Sequence, residues 1–593
     1  MRIESWFVTA LVAAALALSS CSSEPSDLAP SSTATGAGAG ASSAGGSEGG
    51  AGASSEGGAG GGAEGGAGGG QGGTSPGWSF DWAKRADRNG NPAGVFDKTP
   101  FPIDDKSTSY AITTDDGAKT YQLGTLYFVD GASGDDGHDG LSPGKAKKTI
   151  GAGIAAAGDG NKTIVVRGAH DGFDGVYLEH SLKPGVGKSD TERWTLVGYG
   201  QERPVVDAGG TDNYVIQGTK QPDAFVTIQR MKLQDSKTTC VRLGQLDKKL
   251  DGHFSLIDLA LYDCKNDAKT PGDGNVYYLN VDRGWIYHCN SEHTKGHCLK
   301  IGDGSSHMAI EWTLVDGCGW YENWDGPAEY WGAHPSGIDL PADVDNAFDI
   351  TVRYNICKTS LFYCVQIRRV KGFDFHHNEV YDSPHFDDVA ESVGHSLGHH
   401  QVLVYGGHTS GRFHSNVIRD PGTSSANNVR ISSIDADNPQ VLLYNNLVYG
   451  GPNSAISVAS GIKADVRILN NSLHTNSQKG GVIDAMAAGG QLVIQNNILV
   501  QAGAGPALAW FTDEPTHSFN RYYFPGGTRG VELGEGESDG DPSWAAQPEG
   551  AYQPDFCRLQ EALPGTDLSK YFTVDFDAVE RSGWDMGARE HKP

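Results

Sequence analysis

Three residue types that could act together on a charged substrate recur at one phase of a strand pattern. The phrases HCLKIGD (297–303), SGIDLPAD (336–343), YCVQIRR (363–369), QVLVYGG (401–407), NVRISS (428–433) and AISVAS (455–460) each alternate apolar and polar residues. Strand side chains point alternately to opposite faces. Leu299 and Ile301, Ile338 and Leu340, Val365 and Ile367, Val402 and Val404 therefore face a core. Lys300, Asp339, Gln366 with Arg368, Leu403 with Tyr405, and Arg430 then share the outer face, and Arg242 of TTCVRLG falls in the same phase. A lysine becomes a usable general base when neighbouring positive charge lowers its pKa. An arginine holds a carboxylate through a fork of N–H donors. Asp339, with Asp343 or Asp345 from SGIDLPADVDN, offers hard oxygens suited to calcium. The plainer alternative is charge pairing across a solvated sheet.

Two long intervals, Trp312–Ile338 and Asn378–Gln401, fall in the same slot of the pattern and would wall this face. The first carries Trp320, Tyr321, Trp324, Tyr330 and Trp331, aromatics suited to stacking on sugar rings or to packing the loop itself. Trp324, Trp331, Tyr405 and Arg430 are the expected substrate contacts. The second holds Asp387, Asp388, Glu391, His385, His395, His399 and His400, in spacings that match no standard zinc signature.

The elements that position these groups repeat. RYNIC, HHNEV, HSNVI, YNNLV, LNNSL and QNNIL place asparagine at 355, 378, 416, 446, 471 and 497. The intervals are 23, 38, 30, 25 and 26 residues, a near-constant minimum with insertions. Asparagine tolerates the left-handed conformation of a tight bend, and its amide can bond to its equivalent one coil away. Upstream, YFVDGASGDDGHDGLSPGKAKKTIGAGIAAA resembles the opening of many right-handed parallel β-helix proteins of the pectate-lyase-like kind. The tail, GDPSWAAQPEGAYQPDFCRL to FDAVERSGWDMGARE, resembles their closing segment. The resemblance implies an all-β, right-handed parallel β-helix over 124–520. It also implies a short capping helix at about Ala146 to Ala157 and long loops on one edge. Residues 77–123 form an N-terminal extension and 521–593 a closing segment. Asp130, Asp135, Asp136 and Asp139 belong to a structural loop of that opening, with weak potential for calcium.

The start of the chain reads as an export signal. Arg2 precedes an apolar run from Trp6 to Leu18, too short to span a bilayer. Leu18-Ser19-Ser20-Cys21 resembles the bacterial lipobox, which implies acylation of Cys21. Ser22 and Ser23 then imply sorting to the outer membrane. Residues 22–76 are nearly all Gly, Ala, Ser and Glu and read as a disordered tether. A monomer attached to the membrane through its lipid alone is expected. The net charge of -27 argues against nucleic acid as a partner. Setting Cys21 aside, an even number of cysteines remains, for disulfides or stacked thiols. Cys264 and Cys289, in the matching phrases LYDC and IYHC, are the expected pair.

Many proteins of the resembled family cut acidic polysaccharides by β-elimination. On that pattern Lys300 is the base, Arg368 holds the uronate carboxylate, and Asp339, Asp343 and Asp345 hold calcium. GHCLKIGDG (296–304) and QIRR (366–369) faintly resemble polygalacturonase phrases, which leaves hydrolysis as an alternative. A non-catalytic, glycan-binding or adhesive surface lipoprotein is the third reading.

Overall fold

The computed structural model describes residues 80–592, apart from 115, 219–223, 245–248, 265–273, 303, 320–334, 342–346, 384–399, 422–425, 436–438, 487–490 and 511–513. Short runs rich in β-branched residues, separated by turns, pair in parallel with their counterparts one coil away. Three sheets result. Sheet 1 has 11 strands, from Tyr214–Gln217 to Leu508–Trp510. Sheet 2 has 14, from Thr125–Val129 to Thr516–Ser518, and sheet 3 has 14, from Val176–Leu178 to Ser538–Asp539. Each full coil contributes one strand to each sheet, in the order 1, 2, 3. This is a parallel β-helix. Sheet 3 continues through Arg521–Tyr523, so the winding runs beyond residue 520.

The inward column of sheet 1 is read directly from its register: Val276, Leu299, Ile338, Val365, Val402, Val429 and Ile456 stack in that order. All are at most 1 % exposed, as the alternation requires. Burying each such side chain contributes roughly 1.5–3 kcal/mol. Phe375 and Phe413 extend the same logic in sheet 2, with stacked rings 4.9 Å apart.

The turn from sheet 2 to sheet 3 carries the asparagine ladder. Each side-chain amide donates to the next: Asn355 to Asn378 at 3.0 Å, Asn378 to Asn416 at 3.1 Å, and Asn416 to Asn446 at 3.0 Å. The run continues through Asn471 and Asn497 to Asn520. The left-handed residue is not the ladder asparagine, as the sequence suggested, but the one before it. Tyr354, His377, Ser415, Asn445, Asn470, Asn496 and Phe519 have φ between 49° and 61°. The asparagine amide fixes the bend by bonding, while its neighbour takes the strained backbone.

Both terminal segments lie along this edge. Phe80 packs on Trp312 and Tyr354, and Trp82 stacks on Phe576 of the closing segment. Arg85 pairs with the buried Glu379, and Phe96 stacks on His288 at 4.1 Å. At the N-terminal end the helix Ile150–Ala157 covers the first coil. Thr149 caps it, and Glu179 accepts from the Ile150 and Gly151 amides at 2.6 and 2.7 Å. The helix begins four residues after Ala146 because 143–145 form a separate turn of 3-10 helix.

The opposite edge, from sheet 3 to the next strand of sheet 1, holds the disulfides Cys240–Cys264, Cys298–Cys318 and Cys357–Cys364. The expected Cys264–Cys289 bond does not form. Cys264 follows its sheet 3 strand and sits level with Thr294, whereas Cys289 precedes its own and sits level with Leu259. The two similar phrases occupy different corners of the coil. Cys289 and Cys557 are buried free thiols.

Candidate functional site

The outer face of sheet 1 is built by strands Gly274–Leu279, His297–Ile301, Ser336–Pro341, Tyr363–Arg368, His400–Tyr405 and Asn427–Ser432. Their register places Arg242, Tyr277, Lys300, Asp339, Gln366, Leu403 and Arg430 in one outward row. Lys300 and Asp339 are direct neighbours, as the strand phase requires. Gln366, not Arg368, stands beside Asp339. Arg368 lies two residues further along the same face, level with Pro341 on one side and Tyr405 on the other. The three charged side chains thus share a face in two adjoining rows.

Asp339 is only 4 % exposed, and its Oδ2 lies 3.4 Å from His297 Nε2. The Ser336 amide donates to His297 Nδ1 at 3.1 Å, so the imidazole proton sits on Nε2 and is directed at Asp339. On the other flank Gln366 Nε2 donates to Tyr405 Oη at 2.7 Å, and Ser336 Oγ donates to Gln366 Oε1 at 3.3 Å. Burial raises the Tyr405 phenol above its usual range, opposed by the Arg368 cation and reinforced by the Asp339 carboxylate. Tyr405 therefore keeps its proton at neutral pH. Lys300 rests its ammonium 4.9 Å above the Tyr277 ring. Arg430 is half-buried, and burial lowers its pKa while the Tyr363 phenol opposes the shift.

The spacing pointed to Lys300, Asp339, Arg368, Tyr405 and Arg430, and the structure gathers them on one face. It adds His297, Ser336 and Gln366 as the polar frame. His297 leads the strand HCLKI, in the phase of the inward residues, so alternation alone hid it. Trp324, Trp331, Asp343, Asp345 and Cys21 lie outside the described residues, as do Trp320, Tyr321, Tyr330, His385, Asp387, Asp388, Glu391, His395 and His399. The intervals 320–334 and 384–399 do fall in one slot, between sheet 3 and sheet 1.

No known family model matches the sequence, and no curated protein does. Solved structures resemble it in winding. Pectate lyase Pel9A is 11 % identical, covering 80 % of this chain and 98 % of its own, with a TM-score of 0.37. The lacto-N-biosidase of Eubacterium ramulus is 12 % identical, covering 60 % and 67 %, with a TM-score of 0.38. The surface adhesin PfbA of Streptococcus pneumoniae is 12 % identical, covering 64 % and 88 %, with a TM-score of 0.37. Likeness at this level concerns the chain path, and no chemistry here rests on it.

Calcium asks for six to eight oxygen ligands. Among the described residues the groups around Asp339 are the Lys300 ammonium, the Gln366 amide, an imidazole, a guanidinium and a phenol, which do not make an oxygen cage. The carboxylates of the opening loop are engaged by backbone. Asp130 accepts from Ala132 and Ser133, Asp135 from Gly137, Asp136 from Lys148 and Thr149, and Asp139 from Leu141.

Proposed function

We propose that the chain acts on polysaccharides at the outer face of sheet 1, cleaving uronate-containing glycans by β-elimination. The observation that carries this reading is the convergence of Lys300, Asp339, Arg368 and Tyr405 on one face, with protons fixed by His297 and Gln366. Arg368 would neutralise the uronate carboxylate and so acidify the neighbouring C–H. Lys300 would take that proton; the C–H electrons form the ring double bond as the glycosidic C–O bond breaks. Tyr405, held in its protonated form, would deliver a proton to the departing oxygen. Asp339, buried and engaged by His297, sets the electrostatics of the row. Glycoside hydrolysis calls for a pair of carboxyl groups, and in this cluster Asp339 is the one carboxylate among the described residues.

The decisive experiment incubates the protein with pectate, alginate and glycosaminoglycans and follows the ultraviolet absorbance of an unsaturated uronate. Growth of that signal supports the reading. New reducing ends without it indicate hydrolysis, and retention on a glycan without either indicates a binding protein. Calcium binding by Asp339 with Asp343 or Asp345 is proposed as well, and loss of the signal on chelation with recovery on calcium addition would support it. Anchoring through Cys21 to the outer membrane is proposed as well; a Cys21→Ala protein that stayed in the membrane fraction would contradict it.

A further inference from the structure

A second recess lies on the outer face of sheet 2, away from the row just described. The hairpin formed by Ser109–Thr114 and Gly117–Gln122 stands over strands Leu250–Ile257, Val281–Tyr287 and Ser306–Glu311, and between them is a cleft of about 560 Å³. That is the size of a small-ligand pocket.

The strand register breaks at this place. Asp251 pairs with Asp282 and Phe254 with Gly284, so Gly252 and His253 stand opposite Arg283 alone. Arg283 takes the left-handed conformation, with φ 65°. Such a bulge re-aims a side chain, and bulges gather at functional sites. The side chain re-aimed here is His253. Its Nδ1 contacts the Asp190 carboxylate, which places the ring proton on Nδ1. Its Nε2 is buried in the cleft wall and has no hydrogen-bond partner among the described residues. Burial brings the imidazole pKa down to about 4, with Arg283 and Lys119 acting in the same sense and Asp282 opposing. The ring is neutral at ordinary pH, and Nε2 presents a lone pair.

Most of the charges around the cleft are matched, Arg193 with Asp190 at 3.2 Å among them. Glu311 accepts from Arg353 and from Trp285 Nε1, the latter at 2.9 Å, and Asp116 pairs with Arg353 at 2.9 Å. Asp282 takes His307 at 2.7 Å and Arg283 at 3.6 Å. Exposed Lys119 lies 4.7 Å above the Trp285 ring at the mouth. Among the described residues two groups in the cleft wall remain unmet, the His253 Nε2 acceptor and the Arg193 Nε donor, beside an aromatic side chain and the flexible Lys119 ammonium. A hydroxyl both donates and accepts, so a hydroxyl-rich, uncharged ring finds a complement there.

We infer that this cleft binds an uncharged saccharide unit, with a sugar hydroxyl donating to His253 Nε2 and the ring against Trp285. The inference does not depend on cleavage at sheet 1. The test applies the full chain and its His253→Phe, Trp285→Ala and Lys119→Ala variants to an immobilised panel of neutral and uronate oligosaccharides. Circular dichroism and thermal melting confirm the fold of each variant. At least one neutral oligosaccharide should be retained by the wild type. Its affinity should fall roughly tenfold in His253→Phe and Trp285→Ala, the size of one lost hydrogen bond or ring contact, and less in Lys119→Ala. Any uronate cleavage should be unchanged in His253→Phe. Absence of neutral retention, or retention equal in wild type, His253→Phe and Trp285→Ala, would overturn the inference. A joint loss of neutral binding and uronate cleavage in His253→Phe would also overturn it, by making the two faces one site.

Discussion

The two long edges of the solenoid are held in opposite ways. At the asparagine edge the same turn recurs coil after coil, each amide bonded to the next, and both terminal segments seal it. At the other edge the connections vary in length, and three disulfides fasten individual coils where the insertions arise. A repeated side-chain ladder demands constant geometry and leaves no room for variation. A covalent staple fixes only its own two residues, and the intervals that follow Cys264 and Cys318 lie outside the bonded loops, so their length can vary. The edge that tolerates insertion borders the face carrying Lys300, Asp339 and Arg368.

The largest expected effect comes from the charged face. Lys300→Ala should lower turnover on the cleaved uronate glycan roughly a hundredfold to ten-thousandfold, with an unfolding transition close to wild type. Comparable loss of stability and activity would show that Lys300 is structural. Next in size is the ladder. Asn416→Ala removes the bonds its side chain makes with the Asn378 backbone and side-chain amides, the Phe375 carbonyl and the Asn446 side-chain oxygen. Denaturant unfolding should register a loss on the order of 3 kcal/mol. A loss well under half that size would mean that the ladder is decorative.

The staples should come next, at a similar size, and should scale with the loop they close. Replacing Cys240 and Cys264 by alanine, with a separation of 24, should cost about 3 kcal/mol, and replacing Cys357 and Cys364, with a separation of 7, about 2 kcal/mol. The reverse order would point to native-state strain instead of chain entropy. The smallest effect concerns Cys289, which occupies a turn position level with Thr313 and Leu259. Burial pushes its thiol up to about 12, so it should resist iodoacetamide at pH 8 until the protein unfolds. Labelling of the native protein would show that this edge opens locally.

Much of this was legible in the sequence, for a physical reason. Strict alternation fixes inward and outward residues, so Leu299, Ile338, Val365 and Lys300, Asp339, Arg430 fell where the phase put them. Asparagine marked the ladder from Asn355 onward. Earlier coils fill the same column with Leu259, Cys289 and Thr313, and no repeating letter betrays it. That is why LYDC and IYHC read alike in the sequence although Cys264 bonds to Cys240. The sheet 2 cleft was illegible because it needs a hairpin at 109–122 and a loop at 190 to meet a strand at 253. Only the folded chain brings these together.

The central claim is that a uronate glycan lies across the outer face of sheet 1. Hydrogen exchange of the Lys300→Ala protein, with and without a bound uronate oligosaccharide, tests it most directly. Strands His297–Ile301, Ser336–Pro341, Tyr363–Arg368 and His400–Tyr405 should gain protection together, with the asparagine edge unchanged. Protection that leaves all four strands untouched would contradict the claim and place the ligand elsewhere.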